Sequence, residues 1–342
     1  MNFQNNKYTL EFATSEDNEG IREIFEAGGF DGGISVKYLR NPLPLASFSA
    51  DGESRIMVIR DNECQKVIAV GGAVLRKEYV NGKAETCGYL TGLKIHPDYQ
   101  KKTTFIAKSY QFLYEHIQGC YCYYTTILDD NEVAIRLLEK KHKNMPEYQY
   151  LGHYTTYCFH NGKRILELER DNTDGLEGLM QNYFSKQSLT PVDYTCGGFG
   201  ETRFYCVRRD GEILACCFVG NQQQHKQYHM CSYSGIYKLL SHLPTQWLGY
   251  PAFPKADSDI DFGVISYLYV KDCDKKLCKD FLRSVAAEAG VALLLWGGFE
   301  NNPLCEALDS MKTIHYGSRL YSVVWDQKVT IDGVIGTEVA LL

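Results

Sequence analysis

Apolar and polar positions along the chain alternate between strand period and helix period, in an order that occurs twice. Residues 8–12 alternate in strand fashion. Thr14, Ser15, Glu16 and Asp17 then supply a cap and an acidic first turn for a helix that carries Ile21, Ile24 and Phe25 on one face. Residues 55–60 and 67–75 read as β-branched, apolar strands joined by a polar turn. Asn81-Gly82 is a hairpin turn leading into a strand over 85–95. An amphipathic helix over 104–117 turns Phe105, Ile106, Phe112 and Leu113 inward. A strand over 120–128, a helix over 131–143 and a Tyr- and Thr-rich strand over 147–159 complete the first series.

The second series repeats the order with little identity. Strands over 203–207 and 213–219 flank Asp210-Gly211, a second hairpin turn. After them come a long strand over 262–270, an amphipathic helix over 275–289, a strand over 291–296, a helix over 302–311 and a strand over 313–325. Corresponding points lie about 170 residues apart, which is duplication on the scale of whole domains. The pattern predicts an α+β protein of two tandem domains, 1–160 and 161–342, each a mixed, mostly antiparallel twisted sheet flanked by helices. Charged and turn-forming residues over 161–176 mark the boundary. The residues after Asp326 read as a short tail or a swapped strand.

Composition narrows the function classes. With 342 residues, 44% hydrophobic and 23% charged, the chain has room for two cores and no biased tract. Its 36 basic residues against 42 acidic ones give a net charge of -6, so no overall basic field draws it to nucleic acid or membrane, although a local basic patch is compatible with that total. The first thirty residues hold acids throughout and no apolar stretch of signal-peptide length, which predicts a cytoplasmic protein. Thirteen cysteines without a CxxC pair read as reduced core thiols, with no metal expected. His225 and His229 stand at helical spacing, but the Gln-rich run from Gln222 to His229 reads better as a solvated loop or strand end.

Three segments of the first half resemble the acyl-CoA-dependent N-acetyltransferase (GNAT) superfamily. Phe12-Ala13-Thr14-Ser15-Glu16-Asp17 looks like its first strand and helix start. Leu93-Lys94-Ile95-His96-Pro97-Asp98-Tyr99-Gln100-Lys101-Lys102-Thr103-Thr104-Phe105 is similar to its central strand and pyrophosphate loop, with Gln100 at the first loop position. The family prefers small residues, usually Gly, where Thr103 and Phe105 stand. Asn131, Ala134 and Leu137 match the spacing of its next helix. The family's Tyr, an acid for the departing thiolate, is replaced by Leu138.

The resemblance implies two tandem GNAT-like domains, with acetyl-CoA as co-substrate and no metal. Leu93, Lys94 and Ile95 would offer backbone groups to the pantetheine and thioester where neighbouring strands splay. Gln100, Lys101, Lys102, Thr103, Thr104 and Phe105 would form the diphosphate loop, served by backbone N–H groups, lysine charge and hydroxyl donors. Asn131 would reach the pantetheine arm; its ordinary role is a helix cap, and the two are compatible. Tyr89 and Glu85 are site-lining candidates for handling the amine proton, set against a cross-strand aromatic and a strand-edge acid. In the second half the matching stretch, 270–279, has no Gln, Arg or Gly at the loop, and Asp274 opposes phosphate. That copy is expected to be degenerate. Two functions stand: N-acetyl transfer to a primary amine of a small molecule or peptide, and a non-catalytic binding or regulatory module. Acceptor and oligomeric state are not legible in the sequence.

Overall fold

A computed structural model describes residues 1–4, 6–27, 33–100, 104–140, 145–160, 162–326 and 328–342. The first half runs β1 (Asn2–Phe3), β2 (Tyr8–Phe12), α1 (Asn18–Ala27), β3 (Ile34–Leu39), α2 (Pro44–Ala50), β4 (Glu53–Asp61), β5 (Lys66–Val80), β6 (Lys83–Ile95), α3 (Thr104–His116), β7 (Cys122–Leu128), α4 (Glu132–Leu138) and β8 (Glu147–Phe159). The second half runs β9 (Glu169–Arg170), α5 (Leu176–Asn182), β10 (Thr190–Pro191), β11 (Glu201–Arg209), β12 (Glu212–Asn221), β13 (Gln227–Tyr233), α6 (Gly235–Leu240), β14 (Ser258–Asp259), β15 (Phe262–Val270), α7 (Lys275–Glu288), β16 (Leu293–Phe299), α8 (Cys305–Asp309) and β17 (Ile314–Val324).

Both predicted hairpins form where left-handed backbone is cheapest. Asn81 (φ 51°) and Gly82 (φ 80°) join β5 to β6, and Asp210 (φ 52°) and Gly211 (φ 83°) join β11 to β12. Two consecutive positive φ angles match the twist of the flanking strands. Within the described residues α4 ends at Leu138, short of 143, and β7 begins at Cys122 rather than Cys120. The Gln-rich run departs further from expectation. Gln222 and Lys226 are buried, and His229 lies on β13 while His225 precedes it, so the two histidines share no helix face.

Fourteen strands form one sheet in the order β1-β2-β4-β5-β6-β7-β17-β8-β16-β15-β12-β11-β9, with β10 on the far part of β5. The two halves exchange their last strands. β17 inserts beside β7 of the first half, β8 lies beside β16 of the second, and the two pair antiparallel from Ile314↔Cys158 to Val324↔Glu147. The exchanged segments are therefore β8 and β17, and residues 328–342 form a strap across one sheet face instead of a strand. Closing the centre of the sheet this way leaves neither half with an open edge there. A second sheet, β14-β13-β3, also joins the halves: β13 pairs with β3 from Gln227↔Leu39 to Tyr233↔Ile34.

One core lies between the sheet and α3, where Phe105, Ile106, Phe112 and Leu113 are buried as their spacing predicts. Its counterpart lies under α7, around Phe281, Leu282 and Val285. The thirteen cysteines are free thiols, and Cys64 is the exposed one.

Candidate functional site

In the first half the sheet opens between two parallel strands. β6 and β7 pair only from Cys87 to Tyr89 against Cys122 to Tyr124; beyond that rung β6 continues to Ile95 bonded to β5 alone. Thr125 Oγ1 donates to the Leu90 carbonyl (2.8 Å) at the point of divergence. Strand carbonyls and N–H groups past Leu90 therefore face a gap where a sheet partner would normally satisfy them.

A β-bulge shapes the same stretch. Val70 pairs with Lys94 and Gly72 with Thr91, so Gly92 and Leu93 together oppose Gly71. Gly92 has φ +72°, and a Cβ there would sit 2.9 Å from Phe48 Cζ. Glycine is thus required for conformation and for space, and the extra residue re-aims the backbone beyond it.

Around this opening the expected residues take different places. Leu93 is exposed, Ile95 is half-buried, and Lys94 lies along Phe25, its Nζ 4.8 Å from the ring centroid. Burial and the neighbouring Lys37 charge push the Lys94 amine down to about 8. Gln100 is exposed just after the turn Pro97–Tyr99, while Lys101, Lys102 and Thr103 lie outside the described residues. Thr104 opens α3. The Phe105 side chain is wholly buried, edge-on to Phe3 and Tyr8 at 5.8 and 5.0 Å between ring centroids. It turns into the core. Asn131 caps α4, its Oδ1 accepting from Ala134 N at 3.2 Å. Leu138 is buried in the core beneath α3.

Tyr89 stands on the last paired rung. Its ring is buried beside Tyr124 (5.2 Å) and the Arg76 guanidinium (5.4 Å), and its hydroxyl lies 2.7 Å from Thr126 Oγ1. Glu85 is half-buried four residues earlier, opposite Glu78.

Glu78 belongs to a buried polar group that the sequence pattern alone did not single out. Tyr124 donates to Glu78 Oε1 (2.6 Å), and Arg76 donates to the same carboxylate (2.7 Å) and to the Tyr124 hydroxyl (2.8 Å). Arg76 Nη1 and Glu78 Oε2 are buried without a partner. Burial raises the Glu78 carboxyl, against the opposing pull of Arg76 and Tyr124. A signal existed: Arg76 and Glu78 are in phase with buried Val74 and Val80, so they occupy the inward face of β5.

A second buried ionic group, of Arg40, Asp51 and Lys226, joins the halves. Asp51 pairs with Arg40 at 3.0 Å and with Lys226 at 2.7 Å. Burial alone would raise the Asp51 carboxyl, but Lys226 and Arg40 hold it below its ordinary value. Lys226 and Gln222 also donate to the Ala340 carbonyl, at 2.5 and 2.7 Å. The C-terminal strap is thereby fixed over the sheet face that carries Tyr89 and Tyr124, with Tyr154 donating to the Thr337 carbonyl at 3.0 Å.

Residues 18–143 match the model of the acetyltransferase (GNAT) family. A UPF0398 protein of Streptococcus pyogenes serotype M49 (strain NZ131) is 42% identical over 55 residues, 16% of this chain and 30% of that relative, so the chain spans about a third of the curated relatives it matches. The crystal structure of Saccharomyces cerevisiae N-myristoyltransferase with bound myristoyl-CoA is similar over 93% of this chain and 82% of its own, with 10% identity and a TM-score of 0.58. A GCN5-related N-acetyltransferase from Anabaena variabilis covers 92% of this chain and 72% of its own at 12% identity, with a TM-score of 0.50. At such identities the likeness is one of fold.

Proposed function

From the match of residues 18–143 to the GNAT family model, we propose that this chain transfers an acetyl group from acetyl-CoA to a primary amine, by direct attack in a ternary complex, with 1–160 as the acyl-CoA module and 161–342 as a second, degenerate one. The observation that carries the proposal is the opening between β6 and β7 beyond Tyr89, bordered by a glycine bulge and leading to the start of a thirteen-residue helix. Unpaired backbone groups in that gap suit the amides of a pantetheine arm. A helix start with Lys101 and Lys102 before it suits a diphosphate.

In the proposed reaction the amine nitrogen attacks the thioester carbonyl. The C–N bond forms, backbone N–H groups near Leu93 stabilise the oxyanion, and the C–S bond then breaks to release coenzyme A as its thiolate, which takes up, through solvent, the proton that the new amide nitrogen sheds. Before attack the ammonium must lose a proton. Glu78, raised by burial and joined to Tyr124 at the apex of the opening, suits that role better than Glu85; Tyr89 lines the path. Leu138 offers no acid to the leaving thiolate, and this favours the second reading, a module that binds acyl-CoA without turnover.

Calorimetric titration with acetyl-CoA tests the site. Binding is expected in the parent chain and at least about tenfold weaker in a Gln100→Glu, Lys102→Glu variant, since one added negative charge and one reversed charge face a diphosphate. Unchanged affinity removes the loop from the proposal. Thiol release with a panel of amines then separates enzyme from binder, and a longer acyl-CoA run in parallel tests the acetyl assignment.

A further inference from the structure

Between β13 and β14 the chain leaves the small sheet and makes a projection that holds α6 and a turn over Thr245–Leu248. Several of its large apolar side chains face outward. Ile236 is 67% exposed, Leu239 71% and Trp247 88%, with Leu243 and Leu248 also exposed, while Trp296 of the core is 3% exposed. The projection is held in place by Ser234 N donating to the Gly33 carbonyl (2.9 Å) and Lys312 Nζ to the Leu248 carbonyl, and is braced within itself by Thr245 Oγ1 donating to the Pro251 carbonyl (2.7 Å). A tethered element that keeps a tryptophan and several leucines in water is a surface built for an apolar partner.

Charge selects the partner. The chain has 42 acidic residues, yet none from Ile213 to Ala256. Lys238 and Lys255 are exposed within the projection, and Lys312 lies 5.8 Å from the Tyr250 ring centroid at its base. Acids resume at Asp257 and Asp259, which both pair with His229 on the small sheet. Trp, Tyr and Leu with flanking lysines and no acid are the composition that settles at a headgroup boundary. A two-fold interface between copies would instead bring the same acid-free patch against itself, lysines facing lysines.

We infer that residues 235–255 dock the protein on an anionic lipid surface, with Leu239, Trp247 and Leu248 entering the headgroup boundary and Lys238, Lys255 and Lys312 meeting lipid phosphates. The net charge of -6 does not oppose this at short range, because screening confines the field to about 8 Å and the local balance is cationic. This surface is independent of the acyl-transfer reading.

The full chain is to be sedimented with phosphatidylcholine vesicles, with and without phosphatidylglycerol, while tryptophan emission is recorded. Binding that depends on phosphatidylglycerol and a blue shift of emission are expected, since Trp247 is the most exposed tryptophan. An Ile236→Ser, Leu239→Ser, Trp247→Ser variant should lose at least about tenfold in partitioning, three large apolar side chains being withdrawn. A Lys238→Glu, Lys255→Glu variant should lose the preference for phosphatidylglycerol. Circular dichroism checks that both variants fold. Protein that stays in the supernatant with both vesicles overturns the inference. So does a concentration-dependent dimer in sedimentation velocity that the triple serine variant abolishes, which assigns the patch to a second copy.

Discussion

The bulge in β6 has a twin in β15, and the two serve opposite ends. In β15, Ser266 pairs with Phe218 and Tyr269 with Cys216, so Tyr267 and Leu268 oppose Cys217 in the way that Gly92 and Leu93 oppose Gly71. The residue with positive φ is Gly92 in one half and Tyr267 (φ 51°) in the other. Left-handed backbone costs a tyrosine about 1–2 kcal/mol. The cost is offset by a wholly enclosed ring, edge-on to Phe184 at 5.3 Å, whose hydroxyl donates to the Pro191 carbonyl (3.0 Å). The parallel pair beside each bulge is equally short in both halves, Phe262 to Val264 against Leu293 to Leu295 in the second. The two bulges thus differ in what they carry: a glycine beside the splayed strand pair in one half, a buried aromatic ring in the other.

Exchanging the character of the two bulges should separate function from stability. Gly92→Val puts a branched side chain at φ +72° against Phe48, which shifts the backbone that borders the gap. Acyl transfer, or acetyl-CoA affinity if the chain is a binder, is expected to fall about a hundredfold, the scale of a displacement of an ångström at a reacting centre. Tyr267→Gly relieves the strained backbone but removes a buried ring, for a net loss of about 2–4 kcal/mol in urea unfolding. Acetyl-CoA affinity should be unchanged in the folded fraction. The reverse pattern would mean that the second half holds the site.

The Tyr267 bulge is also tied to the strap. Tyr267 N donates to Glu338 Oε1 (2.8 Å), and burial pushes the Glu338 carboxyl up to about 8 from an ordinary 4.5. The folded state therefore holds a proton that the unfolded chain has released over that window, so this group's stabilising contribution is full below about 4.5 and is lost as pH rises through about 8. Unfolding free energy is expected to decline by a few kcal/mol across the window, and Glu338→Gln to flatten the slope. An equal decline in Glu338→Gln would place the titrating group elsewhere. The first half offers no such dependence at Gly92.

Legibility in the sequence divided along the same line. Both hairpins, the long strands and the two main helices could be read because turn chemistry and apolar period agree locally, as at Asn81-Gly82 and over Thr104–His116. Strand exchange could not be read, since β8 and β17 have the same alternation whichever half they join. β3 and β13 were not legible because their pairing partner lies on the other half of the chain, and β13 is polar enough to pass for a loop. The proposal of a site from Leu93 to Asn131 rests on family likeness in the sequence. Glu78 and Arg76 were not legible, because charged residues at the end of an apolar run look solvent-facing until the strand is extended to Val80.

The helix starts carry the comparison to its smallest effect. α7 begins with Asp274, whose Oδ1 accepts from Leu277 N at 2.7 Å, so a carboxylate already occupies the positive end of that helix. α3 begins after Gln100 and two lysines and has no acid in its first turn. If the α7 start is purely structural, Asp274→Ala should cost about 1 kcal/mol, the ordinary worth of a cap, with acetyl-CoA affinity untouched. Should the substitution instead create a second acetyl-CoA equivalent in titration, the second half would retain a latent site held shut by one carboxylate. Residues 270–279 hold no Gln or Arg at the loop start, which predicts against that outcome, because removing one carboxylate does not add the planar donor that Gln100 offers in the first half.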